Sequence, residues 1–561
     1  MKRQVSPDKL SPATTTKYND AGVTTEIYEG EHMPTHDVSE SCFPLPARLT
    51  CHSIGGAIGT GLIIGTGQAL SRAGPVGMLI AYAIVGIIVW FTMIALGEMA
   101  TFVPNTPGFA GYATRFVDPA LGLATGWNYW FKYVIVVPNQ LTAAALVIRY
   151  WNTSINVAVW ISIFIVVILI INLAGVKYFG EIEFWMSTIK VIVIVGLIIL
   201  CICIAAGGTP KGNATGFHYW KNPGAFKQYL KTGNTGYFLG TWAVFVQATF
   251  AYLGTELVGV CVAEAENPRK TVPAAIKRTF YRILIFYIGL VFLLGLIVPS
   301  NSKELLGALK RSNSAAASPF VVAIQLAGIK YLNHILNGAI LLFVLSAANS
   351  DLYIASRTLH SLAVDGNAPA IFKRTMKTGI PHYALGVSSL FMALAYLNVT
   401  NSAATVFKYF VNLVTVFGLL TWISIQVSHI QFRRGLKAQN IDPSTLPYRA
   451  PFQPWATWVA LIASCIICFF KGYDTFLPSF NKTNFITSYL GIPLYLLLIA
   501  GGKVYYGMNS RVKPAEMDLF TGVRDFDADF EASMEKKAMD EEKNAKWYHK
   551  CWKYTGGAIL G

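Results

Sequence analysis

Long apolar runs alternate with short polar connectors along most of the chain. The runs fall at about 50–70, 76–101, 122–149, 155–174, 184–206, 237–262, 281–299, 333–356, 383–399, 405–430, 453–470 and 487–506. Each is close to the roughly 20 residues that a helix needs to cross a bilayer. In lipid a spanning segment must satisfy its own backbone, which favours helices. The pattern therefore predicts an all-α membrane protein with twelve transmembrane helices. The run SPFVVAIQLAGI at 318–329 is too short to span and predicts a helix outside the bundle. Residues 1–48 and 507–561 are polar and predict two tails. The first is rich in Ser, Thr, Pro and acid, a composition that cannot bury a core and reads as disordered.

An even number of crossings puts both tails on one side. The loops on that side hold 15 Lys and Arg against 11 on the other, which places the tails in the cytoplasm. Four N-x-[ST] sequons, at Asn152, Asn213, Asn398 and Asn481, all fall in loops that this topology puts outside. Asn152 and Asn398 sit close to the membrane, so Asn213 and Asn481 are the glycosylation candidates. No cleavable leader is expected, because the first 48 residues are polar and the first apolar run can serve as membrane signal.

Composition narrows the class. Hydrophobic residues make up 54% of the 561, and charged residues only 13%. That is about half the usual soluble share of roughly 25%, which excludes an ordinary soluble enzyme. The net charge of +16 is unevenly placed. The tails are slightly acidic, and residues 49–506 alone carry +19. No soluble basic face is visible, so no nucleic-acid partner is expected. Cys201, Cys203, Cys261, Cys465 and Cys468 lie in apolar runs and read as packing residues. His52, His334, His360, His382 and His429 are scattered. Neither a metal, a cofactor nor an enzymatic centre is indicated.

Two runs are interrupted by glycine. The first contains GGAIGTG at 55–61, and the sixth contains FAYLGTELVG at 250–259. The first run opens one set of five and the sixth opens the next. Paired interruptions in matching halves point to a binding site near the midplane of a transporter. The plain alternative is that the glycines only let helices pack closely. Unwound backbone at Ile54, Gly55, Gly56, Ala57, Ile58, Gly59, Thr60 and Gly61 would offer N–H groups to a carboxylate. Freed carbonyls at Phe250, Ala251, Tyr252, Leu253 and Gly254 would suit an ammonium. An amino acid carries both groups.

Several long stretches bear a resemblance. LPARLTCHSIGGAIGTGLIIGTGQAL, GEMATFVP, GWNYWFKY, EIEFWMSTIKV, FAYLGTELVGV with EAENPRKTVPAAI, SAANSDLYIASRTL and SHIQFRRG resemble the fungal amino-acid permeases of the amino acid–polyamine–organocation superfamily. The likeness runs over about 45–506. It implies a five-plus-five inverted repeat (about 50–206 and 237–430) with two extra helices (about 453–506). It also implies proton-driven uptake at the plasma membrane and substrate at the two breaks.

Five ionisable residues sit inside the runs: Lys132, Lys190, Glu256, Asp351 and Lys408. Such residues are costly in a bilayer and by default functional, a structural ion pair being the other reading. On the resemblance, Lys190 matches a proton-linked lysine and is the candidate carrier of the coupled proton. Glu256 follows the second break and either braces it or shares in proton transfer. Asp351 stands where the family usually has a small or neutral residue, with Ser346 and Asn349 as polar neighbours; Lys408 or Lys190 is a possible partner. At 100° per residue, Asn128, Lys132 and Asn139 form one polar stripe. Where relatives with neutral or basic substrates often carry a glutamate, this chain has Gln140. One acid fewer and two cations more, Lys132 and Lys408, favour an anionic substrate. The third run resembles the dicarboxylic amino-acid permeases, so glutamate and aspartate lead. The alternative for Lys132 is that it snorkels to the interface.

The expected partners are thus a small amino acid, protons and the lipid bilayer. Lys2, Lys9 and Lys17 could accept ubiquitin, which implies ubiquitin ligase and adaptor contacts at the tails. The competing readings are a broad or neutral permease of the same family, and a non-transporting amino-acid sensor with a permease fold.

Overall fold

The computed structural model describes residues 59–104, 108–152, 154–210, 212–257, 268–310, 318–399 and 403–521. Among these there is no strand. The helices are α1 (Gly61–Phe102), α2 (Gly108–Phe116), α3 (Pro119–Ile148), α4 (Val157–Leu173), α5 (Val176–Ala205), α6 (Gly233–Tyr252), α7 (Thr271–Ile297), α8 (Lys303–Lys310), α9 (Pro319–Ala327) and α10 (Leu332–Val364). Then follow α11 (His382–Leu390, continued as a 3-10 turn to Asn398), α12 (Ala403–Ala438), α13 (Trp455–Phe470), α14 (Lys482–Tyr489) and α15 (Gly491–Tyr506). Every apolar run has helix on it. Seven described helices are long and apolar enough to cross a bilayer, and the pair α14 and α15, bent by 42°, makes an eighth.

The first two runs meet within α1 at a sharp break, Gly74 (φ 75°, ψ 177°) ahead of Pro75, so that two helices follow one another there. Proline has no N–H, and the break frees neighbouring backbone groups. The connector after α5 takes them up: Val76 N donates to Ala225 O at 3.0 Å, and Lys227 N to Ala73 O at 2.9 Å.

α3 and α12 form the interior, each with 83% of its apolar window buried, whereas α5 has 28%. α5 and α4 instead expose Ile192, Ile199, Val166 and Ile170, an apolar belt suited to lipid. α3 packs on α10, α12 and α15, while α6 packs on α1. One expectation needs correction here. The short run at 318–329 is a nine-residue helix, α9, but it is not peripheral: Phe320, Val321, Val322 and Ile324 are buried.

Contacts sort the connectors into two ends. At one end Trp220 Nε1 donates to Gly295 O, and Trp151 Nε1 pairs with His334 Nδ1. Asn213 and Asn481 are exposed. Asn398 is buried and donates to Thr142 Oγ1, so it cannot be an acceptor for sugar. At the other end two of the stretches read above meet. Glu98 of GEMATFVP is fully buried and accepts from Arg433 Nη1 of SHIQFRRG at 2.7 Å and from Ala450 N at 3.2 Å. His429 Nε2 lies 3.5 Å from the same carboxylate. The segment after α15 is also docked at this end. Val512 N donates to Val117 O, and Arg115 donates to Asp518 O and Thr521 O. Met517 and Leu519 are buried. Residues 507–521 are thus docked against the helices, and residues 522–561 lie outside the described residues. Residues 1–48 and Cys261 lie outside the described residues.

Candidate functional site

A cavity of about 50 Å³ lies where α1 begins, α6 ends, and α3 and α10 pass between them. Gly59, Thr60 and Gly61 form one wall and Phe250, Ala251, Leu253 and Gly254 another. Helix α3 contributes Lys132, Tyr133, Val136 and Gln140, and α10 contributes Ala347, Ser350, Asp351 and Ile354.

The two glycine-marked segments touch. A Cβ placed on Gly61 would lie 2.5 Å from Ala251 Cα and 2.8 Å from Ala251 N, so only glycine permits this approach. α6 ends because Leu253 turns extended (φ −60°, ψ 144°) and Gly254 enters the left-handed region (φ 92°). The carbonyls that this turn was expected to leave free are largely engaged. Phe250 O accepts from Leu253 N, Tyr252 O from Thr255 N and Oγ1, and Gly254 O from Leu257 N.

Lys132 is buried and forms an ion pair with Glu256 Oε1. Its Nζ also lies 4.9 Å from the Tyr129 ring centre and 4.5 Å from that of Tyr133. It therefore does not snorkel. Glu256 Oε2 accepts from Gly254 N at 3.1 Å and from Trp422 Nε1 at 3.3 Å, so the acid braces the α6 turn while it balances Lys132. Gln140 is a relay: Thr60 Oγ1 donates to its Oε1 at 2.9 Å, and its Nε2 donates to Asp351 Oδ2 at 3.1 Å.

Other expected residues fall elsewhere. Asn139 is fully buried and does not line the cavity; Asn128 on the same stripe faces α12, donating to Phe417 O and Thr421 Oγ1. Tyr252 is buried behind the wall, stacked on Tyr287 and bonded to Tyr82 O. Lys408 is not a cavity cation. It lies near the start of α12 and pairs with Asp474 at 3.8 Å. Lys190 lies 3.7 Å from Glu183 Oε1 and not beside Asp351. Ser346 donates to Glu183 Oε2, and Asn349 accepts from Asn172. Ile54, Gly55, Gly56, Ala57 and Ile58 lie outside the described residues.

The cationic excess read along the chain is therefore not what surrounds the cavity. Lone charges are costly in a bilayer interior, and Lys132, Lys190 and Lys408 each lie beside a carboxylate. Glu183 escaped notice although it precedes Lys190 by seven residues, two helical turns on one face. Tyr133, next in sequence to Lys132, and Leu257, Ala347, Ser350 and Ile354 carry no chemical signal that would have marked them.

The family model for amino acid permeases matches residues 48–513. The dicarboxylic amino acid permease of Saccharomyces cerevisiae is 50% identical, over 90% of this chain and 85% of that protein. The proline-specific permease of Emericella nidulans is 39% identical (90% and 91%), and the lysine-specific permease of Saccharomyces cerevisiae 40% (85% and 77%).

Proposed function

The chain belongs to the amino acid permease family, and from that premise we propose that it imports glutamate and aspartate across the plasma membrane by proton-coupled alternating access. The observation that carries this reading is Lys132, a buried cation on the cavity wall between the two interrupted helices. A substrate's side-chain carboxylate can take the place of Glu256 on Lys132, and a like-sized neutral or cationic side chain cannot. The 50% identity to a dicarboxylic permease supports the same substrate class.

The proposed frame is twelve crossings in a five-plus-five inverted repeat with two extra helices, both termini cytoplasmic. The alternation of connectors between two ends supports it. Lys190, with Glu183 as its counter-charge, is the proposed proton carrier. A broad or neutral permease is the second reading. It is favoured by Glu256, which neutralises Lys132 without any substrate, and by relatives named for proline and lysine.

The test is labelled glutamate uptake in a yeast strain lacking its own amino-acid permeases. Uptake should fall at least tenfold with a protonophore, and Lys190→Met should lose its pH dependence. Full pH dependence in Lys190→Met would remove Lys190 from the proton path.

A further inference from the structure

Lys132 gives a place for one carboxylate, and the N–H groups expected to take the other belong to the glycine-rich segment whose Gly59, Thr60 and Gly61 form a cavity wall. The substrate's α-ammonium remains. The α6 carbonyls are the natural candidates, but those of Phe250, Tyr252 and Gly254 already accept hydrogen bonds from the turn. What the cavity does hold is a carboxylate. Asp351 lines it from α10, is partly accessible, and makes no ion pair among the described residues: Lys132 goes to Glu256, Lys190 to Glu183 and Lys408 to Asp474. One of its oxygens accepts from the Gln140 amide, and a carboxylate has about four acceptor sites.

The juxtaposition of Gln140 and Asp351 has a further meaning. Gln140 stands on α3 where the resemblance leads one to expect an acid. The acid is present 3.1 Å away, on the facing helix. Held by this neutral donor, the Asp351 carboxylate lines the cavity between α1 and the end of α6.

We propose that Asp351 binds the α-ammonium of the substrate, with Gln140 as the residue that positions its carboxylate. The inference rests on the acidic amino-acid reading for its choice of substrate but not for its logic. An ammonium–carboxylate hydrogen bond is roughly twice as strong as a neutral one. A site built around such a bond discriminates strongly against an analogue that lacks the donor.

The experiment compares glutamate with glutarate, which keeps both carboxylates and lacks the amine. The full-length protein, fused to a fluorescent reporter of surface level, is assayed by labelled glutamate uptake with each compound as competitor. Wild type should prefer glutamate at least 100-fold. Asp351→Asn should raise the glutamate KM at least tenfold and leave inhibition by glutarate within about twofold, so that the preference collapses. Gln140→Glu combined with Asp351→Ser places the carboxylate on α3 and should recover at least half of the lost preference (on a logarithmic scale). A glutamate KM and preference unchanged in Asp351→Asn at equal surface level would overturn the proposal. So would an equal loss for both compounds, which would mark a merely structural role. If Asp351→Asn does not reach the surface, the double variant decides: glutamate preference recovered supports the assignment, and glutarate competing as well as glutamate contradicts it. Should wild type carry no acidic amino acid, the substrate reading fails on that arm alone. The Asp351 arm is then run with the amino acid that is carried and its des-amino analogue.

Discussion

Lys132 and Glu256 form a buried pair, and such a pair is costly to break from one side. Removing one partner leaves an uncompensated charge, at about 3–5 kcal/mol in soluble proteins. Lys132→Gln should therefore lower the amount of protein at the cell surface, and Lys132→Gln with Glu256→Gln should restore most of it. Quantitative surface fluorescence checks this; a double variant no better than the single would show that the two residues do not depend on each other. At this scale the sequence marked several residues that line the cavity but not which side chains they meet. Lys132, Gln140 and the glycines were legible because a charge or a run of glycines stands out in an apolar background. The pairings were not. Lys190 with Glu183, Lys408 with Asp474 and Gln140 with Asp351 depend on side-chain direction and, for the last two, on contacts across 66 and 211 residues. The stripe of Asn128, Lys132 and Asn139 failed for a related reason. A helix packed on several sides buries all its faces, so sharing a face does not mean sharing a cavity.

The glycine clusters stood out in the sequence, and the fold explains two of those glycines individually. Gly61 allows the backbone of α1 to lie on that of α6, and Gly254 adopts a φ of 92° that ends α6 at the cavity. Gly61→Ala puts a methyl group 2.5 Å from Ala251 Cα, against backbone that cannot turn aside. Overpacking of this kind costs about 1–3 kcal/mol. Gly61→Ala should lose nearly all uptake and melt several degrees lower in detergent, whereas Gly65→Ala, where a Cβ meets nothing within 4 Å, should retain both. Equal behaviour of the two variants would deny that the contact matters. Element limits were less legible. The break between the first two runs was legible at Gly74 and Pro75, but the connector that takes up its freed backbone lies about 150 residues away and could not be read from periodicity.

For the whole molecule, helix along each apolar run was legible from spacing alone. The docking of residues 507–521 was not, since a short polar segment gives no sign of what it will cover. Asp118, at the head of α3, ties this segment down through Lys503 and Ser510. Burial alone would raise the Asp118 carboxyl. Hydrogen bonds from Lys503, the Ala120 amide and Ser510, with the Lys503 charge, outweigh it and hold the group below the usual carboxylate range. A carboxyl lowered in the fold stabilises above its unfolded pKa, and that stabilisation is lost as pH falls through the folded value. Protease cleavage near residue 510 in detergent should therefore be slow at pH 6 and quicken below about pH 4. Asp118→Asn should be cleaved quickly at both; a variant as resistant as wild type at pH 6 would show that the tie is idle.

The central claim is that Lys132 holds the side-chain carboxylate of an acidic amino acid. It is tested most directly by competing labelled glutamate uptake with each of the twenty amino acids, in wild type and in the Lys132→Gln, Glu256→Gln double variant. The account predicts that only aspartate and glutamate compete strongly in wild type, and that the double variant loses glutamate affinity at least tenfold while glutamine and asparagine gain on it. Unchanged affinity for glutamate and aspartate in the variant would contradict it, as would lysine or proline competing as well as glutamate in wild type.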